Sequence, residues 1–255
     1  MSSDARAAAD FLDGAIRLMS GRGDEDRKDI VFLDFGCGAG GLVGEMLARG
    51  YDAYGCDIQG TWTAPPVVAP ERVRFIQTQP YRLPYDDNSF DVITSTSVLE
   101  HAQNKVECLR EIHRVLKPLG YAMHLLPSKW YLPSEPHIFV PLANFLWPNV
   151  PLWWLKLWAW LGVRNSYQVG MPWRHVAELN HEYCQRGISY WTHAQLRRAS
   201  LEVFGDFHLA TDYYIERANG AAAAICRKLP FRQATGWLVS RTREMFIVSQ
   251  KRHVA

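Results

Sequence analysis

The apolar positions near the start of the chain predict a strand, a turn, a helix and a second strand. The run DIVFLDFG (residues 29–36) is mostly apolar and ends in a glycine cluster. GGLVGEMLARG (40–50) then carries apolar residues three and four apart, as one face of a helix requires, and stops at a glycine. Because the strand-like run YDAYGCDI (51–58) follows directly, these residues make one βαβ unit, which implies a parallel sheet with a right-handed crossover.

The same alternation continues along the chain. Five further runs have the length and apolar character of strands: VRFIQT (73–78), FDVITST (90–96), GYAMHLLP (120–127), DFHLATDYYIE (206–216) and MFIVSQKR (245–252). Helical spacing marks two segments between them, NKVECLREIHRVLKPLG (104–120) and YWTHAQLRRASLE (190–202). Strands that alternate with helices predict the α/β fold class.

The size and composition of the chain fit one such domain. It has 255 residues, of which 48% are hydrophobic. We expect an N-terminal helix and loop (1–28), a core (29–127), an aromatic-rich lid or insertion (128–185) and C-terminal helices and strands (186–255). The five cysteines are widely scattered, which argues against a disulfide framework and favours a reducing cytoplasm. Aspartates interrupt the N-terminal apolar residues, so we expect an amphipathic helix there rather than a signal peptide.

The glycine loop after the first predicted strand matches two fingerprints at once. Gly36, Gly38 and Gly41 satisfy the dinucleotide pattern GxGxxG, whereas Asp34, Gly36, Gly38 and Gly40 satisfy DxGxGxG. In both, glycines let the backbone approach a ligand and a helix N-terminus accepts an anionic group. A carboxylate at Asp34 would repel a pyrophosphate but would pair with an ammonium group. The loop therefore suits an amino-acid moiety better than a dinucleotide.

Asp57 is the second residue that indicates which ligand the loop binds. It ends the second predicted strand, where an acidic side chain accepts hydrogen bonds from both hydroxyls of a ribose. A turn residue at the strand end is the alternative interpretation. With Asp34 upstream, the two elements specify a nucleoside joined to an amino acid, and the sequence predicts S-adenosylmethionine as the cofactor.

Four motifs now carry a resemblance over residues 29–127: LDFGCGAGG, YGCDIQ, LPYDDNSFDVITSTSVLEH and CLREIHRVLKPLG. In this order and spacing they resemble the class I S-adenosylmethionine-dependent methyltransferases, specifically the UbiE or type 11 group. The resemblance implies a Rossmann-like sheet of seven strands with helices on both faces. It also implies that DFHLATDYY and MFIVSQKR form the last pair of strands.

The resemblance further implies which residues bind the cofactor. The methionine end would be held by Asp34 and the loop residues Gly36, Cys37, Gly38 and Gly40. Asp57 and Ile58 would lie at the ribose, and Ser95, after the fourth strand, would lie beside the sulfonium.

The adenine end departs from the family pattern. An acidic residue usually precedes the LPxxxxSFD motif and binds the adenine amino group, but here the stretch is TQPYRLP. Gln79 or its neighbour Pro80 stands in that place. Because an amide oxygen also accepts from an amine, we expect weaker or altered binding rather than its loss.

Two histidines are candidates for acid–base chemistry. Methyl transfer is an in-line displacement in which the protein supplies alignment, exclusion of water and, where needed, a base. His101 follows the fourth strand, and His137 lies at the start of the aromatic-rich part; for each, a structural or surface role is the alternative. We expect no metal site, since RHVAELNHEYC (174–184) lacks the HExxH spacing and suits the wet face of a helix.

PLWWLKLWAWLGV (151–163) is the most unusual stretch of the chain. It holds Trp153, Trp154, Trp158 and Trp160 around one lysine. Twelve or so helical residues rise about 18 Å, too little for a hydrocarbon core of about 30 Å, so the stretch does not cross a membrane. Contact of these tryptophans with a membrane surface, the lining of an apolar acceptor pocket and plain packing all remain open.

Together these features predict a methyltransferase that acts on a hydrophobic or lipid-linked small molecule, with O-methylation as the first hypothesis. Residues 186–255 hold 11 basic and five acidic side chains, which would favour an anionic membrane; no nucleic-acid motif accompanies them. We expect a cytoplasmic protein with peripheral membrane association. The rival hypothesis is a catalytically silent S-adenosylmethionine-binding partner subunit.

Overall fold

The computed structural model describes residues 3–21, 23–58, 66–102, 104–218 and 221–252. In it the strands follow one another largely as the apolar pattern predicts. In this part of the chain the strands are β1 Val31–Phe35, β2 Asp52–Asp57, β3 Val73–Phe75, β4 Gln77–Thr78, β5 Tyr81–Arg82, β6 Phe90–Thr96, β7 Leu116–Pro127, β8 His208–Leu209 and β9 Glu244–Gln250.

Ten α-helices accompany the strands within the described residues. They are α1 Ser3–Ser20, α2 Gly41–Ala48, α3 Lys105–Val115, α4 Ala143–Leu146, α5 Leu152–Trp160, α6 Trp173–Glu182, α7 His193–Phe204, α8 Thr211–Arg217, α9 Ala221–Arg227 and α10 Arg232–Thr242.

Seven strands form one mixed sheet in the order β3-β2-β1-β6-β7-β9-β8. The first five are parallel, and β9 runs antiparallel to both β7 and β8. This confirms the predicted α/β fold with a seven-stranded Rossmann-like sheet. The third predicted strand is shorter than expected, because β4 leaves the sheet and pairs with β5 in a small hairpin.

Apolar side chains alternate along the central strands and fill a core on each face of the sheet. Leu33 and Ile93 share one buried cluster with Ile112 of α3. Phe32 belongs to the other cluster, together with Ile16 of α1. Each such side chain stabilises the fold by about 1.5–3 kcal/mol when fully buried.

The segment DFHLATDYYIE corrects one prediction. Only β8 is extended, and Thr211–Arg217 is helical. The buried positions of α8 alternate as in a strand because the helix packs on two sides: Tyr213 lies 5.5 Å from the ring of Phe11, and Ile215 faces α9 and α10. The last strand pair is therefore β8 with β9, and only two residues of β8 pair with β9.

The aromatic segment, defined as residues 128–185, has a small core of its own. Its buried apolar residues are Ile138, Val140, Ala143, Val150, Leu155, Ala159, Val176, Ala177 and Cys184. Helices α5 and α6 pack on each other to form much of this core. The domain boundaries at residues 28, 127 and 185 remain predictions.

The four tryptophans of α5 divide between two faces. Trp154 packs inward: its Nε1 donates to the carbonyl oxygen of Pro141 (2.8 Å), and its ring lies 5.6 Å from that of Trp158. Trp153 and Trp160 are 64% and 65% exposed. Packing inside the protein therefore accounts for Trp154 and Trp158 but not for Trp153 and Trp160.

A buried carboxylate anchors α1 to the sheet. Asp13 accepts two hydrogen bonds from the Arg27 guanidinium, both 2.8 Å, and one from the Tyr51 hydroxyl, 2.7 Å. Although burial raises the pKa of Asp13, these donors hold it below its ordinary value. The ionised form therefore ties the helix down.

Replacement of Asp13 by alanine should lower the free energy of unfolding by about 1–3 kcal/mol, because it leaves Arg27 and Tyr51 without their partner. Asp10→Ala, on the same helix, removes an exposed ion pair with Arg49 and should cost less than about 1 kcal/mol. Because the folded pKa of Asp13 is lowered, the difference between wild type and Asp13→Ala should shrink as the pH falls below about 4. Urea denaturation at several pH values measures it; equal losses in both variants would contradict the role of Asp13.

Candidate functional site

The order in which successive strands are added to the sheet reverses between β1 and β6. From β1 the chain proceeds to β2 and β3 on one side, and from β6 it proceeds to β7 on the other. The connections thus leave the carboxyl ends of these two neighbours in opposite directions and open a cleft between them. Ligands of open α/β sheets bind at this position.

The glycine loop turns sharply at the end of β1. Gly36, Gly38 and Gly40 all have positive φ, and Gly40 directly precedes α2. A Cβ on Gly36 would lie 2.2 Å from the side chain of Val98, whereas a Cβ on Gly38 would have no heavy atom within 4 Å. Packing therefore requires a glycine at Gly36, whereas the space beside Gly38 is open.

One cavity of about 590 Å³ occupies the cleft. It brings together five of the predicted site residues, which come from four different parts of the sequence: Gly36, Asp57, Ile58, Gln79 and His101. Ser97, Val98, Tyr81 and Glu107 are among the other lining residues. Neither Cys37, Gly38, Gly40 nor Pro80 belongs to this lining.

Two carboxylates stand close to the loop. Asp57 accepts hydrogen bonds from the backbone N–H groups of Gly38 and Ile58, each 2.7 Å, so it braces the loop as well as lining the cavity. Asp34 is buried, and no described residue donates a hydrogen bond to its carboxylate. Burial, and then the charge of Asp57, raise the pKa of Asp34 to about 7. An ammonium group is the natural counterpart for such a carboxylate.

Ser95 lies elsewhere than predicted. Strand β6 continues to Thr96, so Ser95 is within the strand and not on the turn after it. Its hydroxyl is hydrogen-bonded to Nδ1 of His124 (2.7 Å), and both side chains are 1% exposed. Ser97, two residues later, lines the cavity instead.

Cys37 contributes to the loop through its backbone and not through its side chain. It is buried beneath the loop, where a Cβ on Gly55 would come within 2.6 Å of its Sγ. Burial is the main cause that raises the pKa of the Cys37 thiol. Its side chain is therefore packed and unreactive, and only its backbone belongs to the loop.

The two predicted histidines meet at the edge of the cleft. The rings of His101 and His137 lie 5.0 Å apart, and Nε2 of His137 lies 3.7 Å from a carboxylate oxygen of Glu100. We call these three residues the Glu100 cluster. It joins the turn after β6 to the aromatic segment and opens to the cavity through His101.

Outer partners hold the cluster. His101 donates from Nδ1 to the carbonyl oxygen of Gly187 (3.0 Å), and His137 Nδ1 lies 2.8 Å from Glu135. Burial lowers the pKa of His101; for His137 the same burial effect is outweighed by Glu135, which raises its pKa.

Sequence patterns did not mark Glu100 as functional, because it is simply the neighbour of His101 at a turn. In the structure it is 1% exposed, and neither carboxylate oxygen has a hydrogen-bond partner. Burial raises its pKa to about 7. Among the described residues, the Glu100 cluster is the one set of histidine and acidic side chains whose donor atoms converge; the set on α6 does not.

A second, smaller cavity of about 190 Å³ lies under α1. Its walls include Phe11, Thr94, Thr96 and Phe246. Because neither the glycine loop nor Asp57 contributes to it, the larger cavity is the candidate cofactor site.

Residues 33–124 match a protein-family model described as a methyltransferase domain. This match contains β1, the glycine loop, Asp57 and β6, the segments that build the cleft. Over 57 residues, the chain is also 46% identical to the ubiquinone/menaquinone biosynthesis C-methyltransferase UbiE of Idiomarina loihiensis, which covers 22% of this chain and 23% of that protein. Residues 33–124 therefore contain a methyltransferase domain, and the chain is similar to methyltransferases of the UbiE group.

Two further proteins are similar to this chain. Norajmaline N-methyltransferase of Rauvolfia serpentina is 30% identical over 165 residues, 57% of this chain and 55% of that protein. The chain thus spans about half the length of this relative. The solved S-adenosylmethionine dependent methyltransferase from Mesorhizobium loti is 14% identical, with a TM-score of 0.52 over 93% of this chain and 96% of that chain, and it supports the fold.

S-adenosylmethionine is the cofactor of this methyltransferase family, and the site fits it. The volume of about 590 Å³ lies in the range of small-molecule pockets. The start of α2 after Gly40 and the unpartnered carboxylate of Asp34 supply the two kinds of group that an amino-acid moiety needs.

Cofactor affinity should depend on the ionisation of Asp34. Below pH 7 its carboxyl is largely protonated and attracts an ammonium group poorly, so the affinity for S-adenosylhomocysteine should rise about tenfold between pH 6 and pH 8. Asp34→Asn should bind more weakly and lose this rise. Isothermal titration calorimetry of both proteins measures it, and an unchanged pH profile in the variant would show that another group causes the dependence.

Proposed function

We propose that this protein transfers a methyl group from S-adenosylmethionine to the hydroxyl oxygen of an apolar small molecule. One observation carries the proposal: a single cavity has Gly36 of the glycine loop and Asp57 on its walls together with His101 of the Glu100 cluster. A cofactor that fills one part of it would bring its reactive end near acid–base groups.

The cofactor would be held by groups of opposite character at its two ends. Asp34 would pair with the α-ammonium, and the N-terminal end of α2, which directly follows Gly40, would receive the carboxylate. Asp57 would accept from the ribose hydroxyls, and the Gln79 amide from the adenine amine. The braced geometry of Asp57 supports its part, because both its oxygens already have fixed directions.

The chemistry asks little of the protein beyond placement. When bound, S-adenosylmethionine supplies a methyl group on a sulfonium, an electrophile that needs no further activation. The protein aligns the acceptor, keeps water out and handles the proton of the acceptor hydroxyl. His101 and His137 are the residues proposed for that last role.

An apolar acceptor is favoured by two observations. A bacterial relative is named for ubiquinone and menaquinone biosynthesis, and a plant relative for norajmaline. The aromatic segment, which supplies His137, is rich in exposed apolar side chains, including Phe139, Leu142 and Phe145.

We further propose that α5 rests on a membrane surface from which such an acceptor is taken. Its exposed side chains, Trp153, Lys156, Leu157, Trp160 and Leu161, recur three and four apart and so share one face. Tryptophan and leucine around a lysine suit the interface of a bilayer. None of the described helices is long and apolar enough to cross a membrane.

Cofactor binding and turnover test the enzymatic proposal separately. Asp57→Ala should weaken S-adenosylhomocysteine binding more than tenfold, while Asp52→Ala, at the other end of β2, should not. Labelled methyl from S-adenosylmethionine should enter an organic-extractable product when hydroxylated quinones or phenols with prenyl chains are supplied. Binding without transfer to any hydroxyl, amine or carbon acceptor would favour the silent partner subunit, and failure to bind would contradict both hypotheses.

Vesicle binding tests the membrane proposal. The wild-type protein should co-sediment with anionic phosphatidylglycerol vesicles more than with neutral ones, and its tryptophan emission should shift to the blue. The double variant Trp153→Ser and Trp160→Ser should lose most of this binding. Leu18→Ser, which removes an equally exposed apolar side chain from α1, should bind as the wild type does. Equal binding by all three would show that α5 is not the contact.

A further inference from the structure

The Glu100 cluster has the composition of a metal site. It contains two imidazoles and one carboxylate, and one ligand atom of each lies within 4.8 Å of the others. Two histidines and a glutamate are a ligand set of catalytic zinc, in which a further position stays open for water or substrate. The set joins two distant parts of the chain, so folding brings it together.

One ring nitrogen of each imidazole lies within 4.8 Å of the other and of a Glu100 carboxylate oxygen. His101 faces a carbonyl oxygen at Nδ1, which only accepts, so its proton is on Nδ1 and Nε2 is free. His137 faces Glu135 at Nδ1. Glu135 also accepts from the backbone N–H groups of His137 and Ile138 and from the Tyr190 hydroxyl, as an ionised carboxylate does.

This arrangement is the outer shell that metal-bound histidines usually have. Such histidines donate their second N–H to a carboxylate or a backbone carbonyl, which sets the tautomer and the ring orientation. Here His101 faces a backbone carbonyl and His137 faces a carboxylate. The carbonyl of Gly187 is aimed by a π-helical turn, Tyr183–Gly187, in which Gly187 lies against the ring of Tyr183.

Glu100 is the independent observation that calls for a ligand. Its side chain is 1% exposed, and neither carboxylate oxygen accepts a hydrogen bond. The nearby Lys105 amine donates instead to the carbonyl of Ala102 and the hydroxyl of Ser189. A buried carboxylate without donors is costly, and a bound cation removes that cost.

We propose that Glu100, His101 and His137 bind one divalent transition-metal ion, with zinc as the type. Ligand atoms at about 2.1 Å from a tetrahedral ion lie about 3.4 Å apart. The separation of 3.7 Å between Glu100 and Nε2 of His137 is already close to this value. Magnesium is disfavoured because two of the three donors are imidazole nitrogens.

The consequence for catalysis rests on the proposed function, whereas binding of the ion does not. His101 lines the cavity, so the open coordination position would face an acceptor there. A hydroxyl group bound to the ion would lose its proton to water more readily, and its oxygen would be held in place for attack on the methyl group. The two histidines would then act as ligands rather than as free bases.

Metal binding is tested on tag-free full-length protein that carries Cys226→Ser, which removes a partly exposed thiol. After chelation and desalting, the protein is titrated with Zn²⁺ by calorimetry and with Co²⁺ by visible absorption. We expect one equivalent of either ion, intense cobalt bands typical of low coordination, a rise in melting temperature with Zn²⁺ and no such effects with Mg²⁺.

Variants locate the site. Glu100→Gln, which keeps the shape of the side chain, and His101→Ala should each weaken Zn²⁺ binding at least tenfold and abolish the cobalt bands. His175→Ala, which removes an exposed histidine of α6, should bind as the parent does. S-adenosylhomocysteine binding to Glu100→Gln should stay intact, which separates this proposal from that of the cofactor site.

Two results would overturn the proposal. One is the absence of stoichiometric Zn²⁺ binding in the folded parent protein, which would leave the cluster as an ion pair between Glu100 and His137. The other is Zn²⁺ or Co²⁺ binding that survives in Glu100→Gln and His101→Ala, which would place the ion elsewhere. Because the first result needs only the parent protein, loss of folding in a variant does not affect it.

Discussion

Parallel pairing of β1 with β6 is the constraint on which the site depends. The register sets Asp34 beside Thr94, at the point where the two strands begin to part. A right-handed crossover takes the chain away from each strand in opposite directions, so nothing from either connection can fill the space between their ends. The glycine loop, Asp57 and the turn that carries Glu100 and His101 all border that space because each directly follows a strand.

Carboxylates give this cleft its electrostatic character. Asp34 and Glu100 are both buried with a raised pKa, one beneath the loop and the other beyond the turn after β6. Unpaired acidic groups of this kind destabilise the empty protein and favour ligands with positive charge. The molecule thus gives up some stability at two places along one cleft, and each place suits a different cation: an ammonium at the first and a metal ion at the second.

Local sequence patterns predicted the site residues that lie at or directly after the end of a strand. The loop, Asp57 and Ile58 follow strand ends that are visible as apolar runs, and Gln79 was placed by motif spacing. Ser95 was misplaced because its position was taken from the family resemblance, whereas the apolar run FDVITST (90–96) already set it inside a strand; Ser97, two residues later, reaches the cavity. The alternation in α8 was misleading because packing on two sides imitates the period of a strand.

Long-range contacts explain what the sequence could not show. Glu100 differs from any surface glutamate only through its burial beneath residues 135–137 and Tyr190, which are distant in the chain. The pairing of His101 with the carbonyl of Gly187 joins residues 86 positions apart. No periodicity records such a contact, and the two histidines were recognisable only one at a time.

The separate core of the aromatic segment has an evolutionary consequence. Leu155 and Ala159 pack with Val176 and Ala177 rather than with the sheet, whereas Ser128 and Glu135, which bond to the Arg241 carbonyl and the Tyr190 hydroxyl, join the segment to the rest of the chain. Its surface can therefore drift, lengthen or be replaced while the strands beneath keep their register. Selection can then alter what the protein recognises without rebuilding what it uses to hold a nucleoside.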